Sequence, residues 1–338
     1  MMNRLKLIVT AGVFVFFAHL GFSQAADMSK AKAFYKGKTI IWMIGSTPGG
    51  SVDRLSRLVG PFLAKHMGAK IVLQNRPGGG GTFAFNYLYN KAKPDGLRLA
   101  FHIGSTQALN IVSSQPGIRF DLPKMSFIGV VSPTNLTLMA YKKRFKSLDD
   151  ITRAKSFRYG FTRPGGNVHF NGVALTKILN LNTQYVSGYS GSSAVRQAIL
   201  SGEVDVTLFP ASSYVSAIKE GIVVPLLTVG HNRHPAVPDV PTLNEVVKEI
   251  PPPFNVWIDI GRVGWFLLAP PAVPEDRLEF LRVSLKKALE DPELLKKAKK
   301  QQFLIDYLEP KKAHQIVTDF LGMSQKDKDQ LKKLLKGG

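Results

Sequence analysis

Short apolar runs recur along the chain, each followed by a glycine-rich break and then by apolar positions at helical spacing. Thr39 to Ile44 is β-branched and nearly all apolar, as a strand buried on both faces should be. Gly45-Ser46-Thr47-Pro48-Gly49-Gly50-Ser51 then breaks the chain. Val52, Leu55, Val59, Phe62 and Leu63 follow on one helical face, and Gly68 ends that segment. The unit repeats, with Lys70 to Gln74 as strand, Asn75 to Gly81 as loop and Thr82 to Lys91 as helix. A third strand, Leu97 to Ile103, runs into Gly104-Ser105-Thr106. After Pro133 a second set begins. Its strands are Leu136 to Tyr141, Phe157 to Phe161, Tyr185-Val186, Val204 to Phe209 and Val223 to Val229. Its helices are one opened by Ser147 with Asp150 three residues on, then Val168 to Leu179 and Ser193 to Leu200. The proline-rich stretch His231 to Pro253 reads as loop with one short helix, and Gly264 to Leu268 as a strand. From Pro274 the chain is helical, with Leu278, Leu281, Leu285 and Leu289 on one face and Asp291-Pro292 opening a further helix. Strands alternating with helices at this spacing predict an α/β fold of βαβ units on mostly parallel sheets.

The beginning of the chain follows a different rule. Arg4 and Lys6 flank the start of an apolar run from Leu7 to Ala18, and Ser23-Gln24-Ala25 follows as a small-x-small pattern. That order predicts a secretory signal peptide over residues 1–25, cleaved near Ala25, with an uncleaved anchor as the alternative. Its roughly twelve apolar residues fall short of the about twenty that span a bilayer. The expectation is an exported protein.

Composition narrows the chemistry. The 338 residues include no Cys, which removes disulfides, thiolate metal sites and Cys nucleophiles. There are 45 Lys and Arg against 24 Asp and Glu. Without Arg4 and Lys6, the mature chain still carries a net charge of +19, so its partner is expected to be anionic. The Lys pairs of the C-terminal helices, such as Lys286-Lys287 and Lys296-Lys297, fall opposite the Leu stripe and read as a solvated face rather than a nucleic-acid surface.

Glycine turns at the carboxyl ends of strands let backbone N–H groups approach a ligand, and the following helix N-terminus adds partial positive charge. Such turns also serve simply to turn corners in α/β sheets. Three in register favour an anion site, and a carboxylate over a phosphate. The first turn lacks the Lys of a P-loop, and Phe83 stands where a dinucleotide fingerprint needs its third glycine. No G-x-S-x-G or H-E-x-x-H occurs. His169, opening a helix directly after a glycine loop, is the one histidine placed to act as a base if the protein were an exported enzyme.

These residues resemble a known family. Phe34-Tyr35-Lys36-Gly37-Lys38-Thr39-Ile40, Pro48-Gly49-Gly50-Ser51-Val52-Asp53-Arg54 and Asn75-Arg76-Pro77-Gly78-Gly79-Gly80-Gly81 look like the extracytoplasmic solute receptors of tripartite tricarboxylate transporters, the Bug or TctC family. Further matches run in order: Pro94-Asp95-Gly96, Gly188-Tyr189-Ser190-Gly191-Ser192, Ile199 to Asp205, Arg233 to Thr242, and Leu268 to Pro274. The resemblance implies a two-lobed, type II-like periplasmic binding protein with the ligand cleft between lobes. Lobe 1 would comprise residues 26–132 and 232–338, and lobe 2 residues 133–231. It implies capture of a small di- or aromatic carboxylate by closure about hinges near Val131 to Leu136 and Thr228 to Asn232. Delivery would be to the transmembrane subunits of a secondary transporter; a sensing role for a membrane receptor is the alternative. No catalysis, metal, cofactor or nucleic-acid partner is implied, and the expected state is a monomer.

The ligand residues that follow from the resemblance lie on both lobes. From lobe 1 they are Ser46, Thr47, Pro48, Gly49, Gly50, Ser51 and Asp53, then Gly78, Gly79, Gly80 and Thr82, then Ser105 and Thr106. From lobe 2 they are Thr162, Arg163, Gly166, Asn167, His169, Tyr189 and Phe209. Asp53 is expected to order the first loop rather than meet an anion, because like charges repel; a plain first-turn helix acid is an equally good reading. Two departures from the family pattern stand out. Phe209-Pro210 replaces an Asp-Asn pair, and Arg163 replaces a small polar residue, where its guanidinium can pair a second carboxylate. Phe161, Tyr189 and Phe209 are candidates for a flat apolar pocket.

Overall fold

The computed structural model describes residues 28–336 apart from 163, 165–166 and 251–253, so the signal-peptide expectation lies outside the described residues. The chain opens with α1 (28–35). The first sheet then takes β1 (Thr39–Ile44), β2 (Lys70–Asn75), β3 (Arg98–Ile103) and β4 (Ser126–Ser132). Between them run α2 (Ser51–Met67), α3 (Thr82–Lys91) and α4 (Gly104–Val112). The second sheet holds β5 (Leu136–Tyr141), β6 (Phe157–Gly160), β7 (Thr183–Val186), β8 (Val206–Pro210) and β9 (Val223–Val229). Its helices are α5 (Leu148–Arg153), α6 (Asn167–Ile178), α7 (Ser192–Ser201) and α8 (Val215–Lys219). Next come α9 (Leu243–Val246) and α10 (Phe254–Gly261), and the chain returns to the first sheet as β10 (Trp265–Ala269). It closes with α11 (Glu275–Leu289), α12 (Pro292–Lys300), α13 (Pro310–Gly322) and α14 (Gln325–Lys336).

Both sheets have five strands, in the orders β2-β1-β3-β10-β4 and β7-β6-β8-β5-β9. Each is mostly parallel with one strand reversed, and in both sheets the reversed strand is the one that has just crossed over. β5 runs antiparallel to β8 and β9, and β10 antiparallel to β3 and β4.

Local chemistry accounts for the element ends. Gly68 stops α2 in the left-handed region at φ 63°, where its N–H reaches the carbonyls of Ala64 and Lys65. Ser147 and Asp150 form a reciprocal capping box on α5, and Asp291 caps α12 by accepting from the Glu293 N–H at 3.0 Å, with Pro292 in the first turn. Apolar positions then set the layers. Leu55, Val59 and Leu63 of α2 and Leu281 and Leu285 of α11 join Trp42 and Phe101 in one core, the two rings 5.2 Å apart. In the second sheet, Asp205 ties β6 to β8. Only 1% exposed, it accepts from Arg158 N and Nε at 2.8 and 3.1 Å and from the Arg158 terminal nitrogen at 2.8 Å.

Five elements depart from the expectation, among them the helices 28–35 and Val215–Lys219, where the residue pattern predicts none. Ser126–Ser132 is a strand, and Gly104 and Phe254 each open a helix that the residue pattern does not announce.

The two crossings between the sheets touch at Gly264. A Cβ there would meet the Ser132 carbonyl oxygen, the Pro133 carbonyl carbon and the Thr134 nitrogen, all backbone atoms that cannot swing away. We expect Gly264→Ala to cost about 3 kcal/mol of stability, visible as a lowered urea midpoint at unchanged slope. A midpoint equal to the wild type would mean the crossings do not meet there.

Candidate functional site

The loops that follow β1 and β2 lie side by side at the carboxyl ends of parallel strands, where open α/β sheets bind ligands. Asp53, in the first turn of α2, holds them together. One carboxylate oxygen accepts from the Gly49 N–H at 2.9 Å and from Arg57 Nε at 3.0 Å. The other accepts from Asn75 Nδ2 at 2.9 Å, and that same nitrogen also donates to the Ser46 carbonyl at 3.0 Å. Arg57 reaches Asn75 Oδ1 at 3.1 Å. One carboxylate thus fixes the first loop, the end of β2 and the start of α2. Asp53 is 2% exposed. Burial alone would raise its pKa, but the hydrogen bonds from Arg57, Gly49 and Asn75 outweigh it and hold the carboxyl below its ordinary value. Asp53 therefore lies beneath the loop as its brace, while Thr47, Pro48 and Gly49 are exposed and Ser46, Gly50 and Ser51 half-buried.

The second loop has a backbone that only glycine adopts without strain. Gly78, Gly79, Gly80 and Gly81 all have positive φ, at 128°, 59°, 64° and 94°. The Gly81 and Phe83 N–H groups return to the Gly78 carbonyl. Among the described residues no acceptor stands opposite the N–H groups of Gly50, Gly79 or Gly80. Successive free N–H groups of this kind make a concavity for an anion. Thr82 is buried behind the loop, and Gly45 and Gly81 pack so closely on the His102 ring that a Cβ on either would come within 2.9 Å of it.

The third turn behaves differently. The Gly104 and Ser105 N–H groups, which open α4, donate to the carbonyls of Gly264 and Val263 at 2.7 and 2.8 Å. Because β10 runs antiparallel beside β3, its entry segment lies over the α4 N-terminus and takes the donors that the sequence pattern offers to a ligand. Side chains remain instead. The Ser105 and Thr106 hydroxyls, Gln107 Oε1 and Asn110 Nδ2 are all buried with no hydrogen-bond partner among the described residues. Gln107 meanwhile donates through Nε2 to the Gly80 carbonyl at 2.7 Å, linking α4 to the second loop. Neither Gln107 nor Asn110 was among the expected site residues. The signal for them, polar residues on the apolar face of a helix after a glycine turn, becomes visible only once that helix is recognised.

Residues expected from the second lobe divide into groups. Arg163 and Gly166 lie outside the described residues. Thr162 is half-buried, and Asn167 opens α6. His169 is 1% exposed, its ring 4.5 Å from Phe161 and 5.8 Å from Tyr185, inside an aromatic cluster of the lobe. Tyr189 donates its hydroxyl to Glu203 Oε1 at 2.6 Å, and burial together with that carboxylate raises its pKa to about 12. Phe209 is 8% exposed and packs 6.2 Å from Tyr214 in the lobe core. Phe161 belongs to one apolar cluster and Phe209 to another, against which Tyr189 packs. Among the described residues no cluster of His, Asp and Glu is suited to a metal ion, and no helix is long and apolar enough to cross a membrane.

Comparison with known proteins agrees with this geometry. The family model described as the tripartite tricarboxylate transporter family receptor, TctC, matches residues 55–333. The chain is 26% identical over 258 residues to protein BugT of Bordetella pertussis, covering 72% of this chain and 75% of that one. Among solved structures it is similar to MatC from Rhodopseudomonas palustris with bound malate, at TM-score 0.65 and 22% identity over 88% of this chain and 99% of the other. It is likewise similar to Rpa4515 of R. palustris with adipate, at TM-score 0.68 and 18% identity over 88% and 97%. At these identities the structural matches establish the two-lobed fold.

The brace is testable through its charge. Asp53 has a depressed pKa, so its contribution is complete above the ordinary carboxylate value and is lost as pH falls through the depressed one. We expect Asp53→Ala to cost about 2 kcal/mol in urea unfolding at neutral pH. The gap from wild type should narrow as the pH falls below the ordinary carboxylate value and through the depressed one. A pH-independent gap would mean that the ionised carboxylate is not what holds the loops.

Proposed function

The chain belongs to the tripartite tricarboxylate transporter receptor family, and from that premise we propose that it is a periplasmic solute-binding protein that captures a small carboxylate and delivers it to a membrane transporter. The observation that carries this reading is the pair of loops braced by Asp53. Gly50, Gly79 and Gly80 there offer backbone N–H groups with no acceptor among the described residues, at the carboxyl ends of β1 and β2. One carboxylate of the ligand sits on these donors, directly or through water. Gln107, on the helix that carries the buried Ser105 and Thr106 hydroxyls, bonds to the Gly80 carbonyl and ties that helix to the second loop. That two similar structures hold malate and adipate supports a dicarboxylate.

The chain passes from the first sheet to the second between Ser132 and Leu136 and leaves the second after Val229. Lobe 1 is then residues 26–132 with 232–338, and lobe 2 residues 133–231. Bending at the crossings closes the lobes on the ligand, and Arg163, which lies outside the described residues, is the residue this reading assigns to the ligand's second carboxylate. No bond is made or broken. The enzyme alternative needed His169 as a base open to the cleft, whereas its side chain is buried between Phe161 and Tyr185.

Thermal unfolding of the mature chain against mono-, di- and tricarboxylates, aliphatic and aromatic, with phosphate and NAD as controls, tests the reading. A dicarboxylate at 100 times its dissociation constant should add about 2.7 kcal/mol of stability. Response to phosphate or NAD alone would contradict it. In the same panel Arg163→Ala should weaken dicarboxylates selectively; unchanged affinity for every dicarboxylate would remove Arg163 from the site.

A further inference from the structure

The crossing from the first sheet to the second is a pivot with two sides. Strand order puts the glycine loops on one of them, because β2 and β1 lie at one edge of the first sheet and β4, from which the chain crosses, at the other. Beyond β4 the chain adds one further piece. Leu308 and Val130 exchange backbone hydrogen bonds at 3.1 Å in both directions, and the Asp306 N–H donates to the Val131 carbonyl at 3.1 Å. Residues 306–308 therefore extend the first sheet on the side away from the glycine loops. The second sheet repeats the order, with β7 and β6 at one edge and β5 and β9 at the other. Only residues 133–135 separate β4 from β5, which keeps the two crossing edges together.

A cavity of about 370 Å³ lies on that far side. Asp306 and Leu308 line it from the first sheet, His231 and Asn232 from the chain just past the end of β9, and Asn135 from the crossing itself. The crossing is held tightly. Thr134 donates through its N–H and Oγ1 to the Gly261 carbonyl at 3.1 and 3.2 Å, and a Cβ on Gly230 would come within 2.8 Å of Asn135 Oδ1. The facing walls are not tied to each other. Among the described residues no hydrogen bond or ion pair joins Asp306 or Leu308 to His231 or Asn232, and His231 pairs instead with Asp259 of α10 at 2.9 Å.

Two bodies joined at a pivot part on one side as they approach on the other. A rotation that brings the β6-β7 edge toward the glycine loops draws Asp306 and Leu308 away from His231 and Asn232. Most of the facing groups are polar, so the widened gap takes in water without exposing much hydrocarbon. We infer that this cavity is the reverse side of the ligand cleft, widening as the cleft closes, so that what fills it sets the population of closed lobes and through it the affinity for ligand; the link to affinity rests on the carboxylate reading proposed above. A ligand that needs the closed form binds more weakly by the fraction of free protein already closed, so bulk that favours closure strengthens binding in proportion.

The experiment measures lobe separation by electron–electron resonance between spin labels at Gln74→Cys of β2 and Gln184→Cys of β7, in a chain with no other cysteine. Both positions are exposed and lie on the strands farthest from the crossing. Asn232→Trp adds bulk to the cavity from one wall and Leu308→Trp from the other, while Asn232→Ala adds none. Without ligand, each Trp variant should shorten the label distance, and each should bind malate or adipate about tenfold tighter than the wild type. Asn232→Ala should do neither. If one Trp variant does not fold, as judged by circular dichroism, the other wall decides. A label distance that is unchanged or longer in the folded Trp variants would overturn the inference, and binding of either acid would leave the carboxylate reading standing. Labels that draw together in a protein that binds neither acid nor any other carboxylate would overturn that reading and uphold the hinge inference.

Discussion

Asp53 holds the binding side of the molecule in shape from underneath. A loop rich in glycine has no side chains to fix it, and the backbone freedom that lets its N–H groups face a ligand would also let it collapse. One carboxylate removes that freedom at several points together, taking the Gly49 N–H, the Asn75 amide and the Arg57 guanidinium. Asn75 then carries the restraint to the Ser46 carbonyl. The arrangement also resolves an apparent conflict, since a buried anion beneath an anion site would repel its ligand. With Arg57 paired to it at 2.9 Å, much of that field is offset. The surface above keeps the partial positive charge of the α2 N-terminus and of the second loop.

The other organising constraint is topological. The strand that follows each crossing runs against its neighbours, and that choice decides which turns are open. In the first sheet, the reversal of β10 brings Val263 and Gly264 over the start of α4 and saturates its first two N–H groups. Two glycine turns are left with open backbone donors, and the third contributes buried hydroxyls. The same reversal places α10 between the crossings, where Gly264 permits backbone contact and Gly261 anchors Thr134. The first crossing and the start of α4 are therefore both held by one stretch of chain, Gly261 to Gly264. The C-terminal helix α14 packs on both α4 and α6, so the apolar core continues across the region between the sheets.

Much of this was legible in the residues. The β1-loop-α2 and β2-loop-α3 units follow from period and glycine placement, whereas for Asp53 the residues left a loop-ordering role and a plain first-turn helix acid equally open, and the hydrogen bonds to Gly49 and Asn75 decide for the first. Others were hidden for identifiable reasons. Ser126–Ser132 is apolar enough for a strand, but Gly129 interrupts it and Pro133 follows at once, so its pairing with β10 decides its state rather than its own propensity. Phe254–Gly261 follows a proline run and is only eight residues long, so its period, with Asn255 and Asp259 on the polar side, is too short to stand out from loop. Side-chain direction was the least readable quantity. Tyr189 turns to Glu203 and Phe209 to Tyr214, choices made by neighbours beyond the element each residue sits in.

The central claim, that backbone N–H groups of the two glycine loops hold a carboxylate, is tested most directly by nuclear magnetic resonance of the glycine-labelled mature chain during titration with malate or adipate. The account predicts that the amide resonances of Gly50, Gly79 and Gly80, assigned by single substitution, move together and saturate at one ligand concentration. Saturable binding that leaves all three unmoved would contradict it.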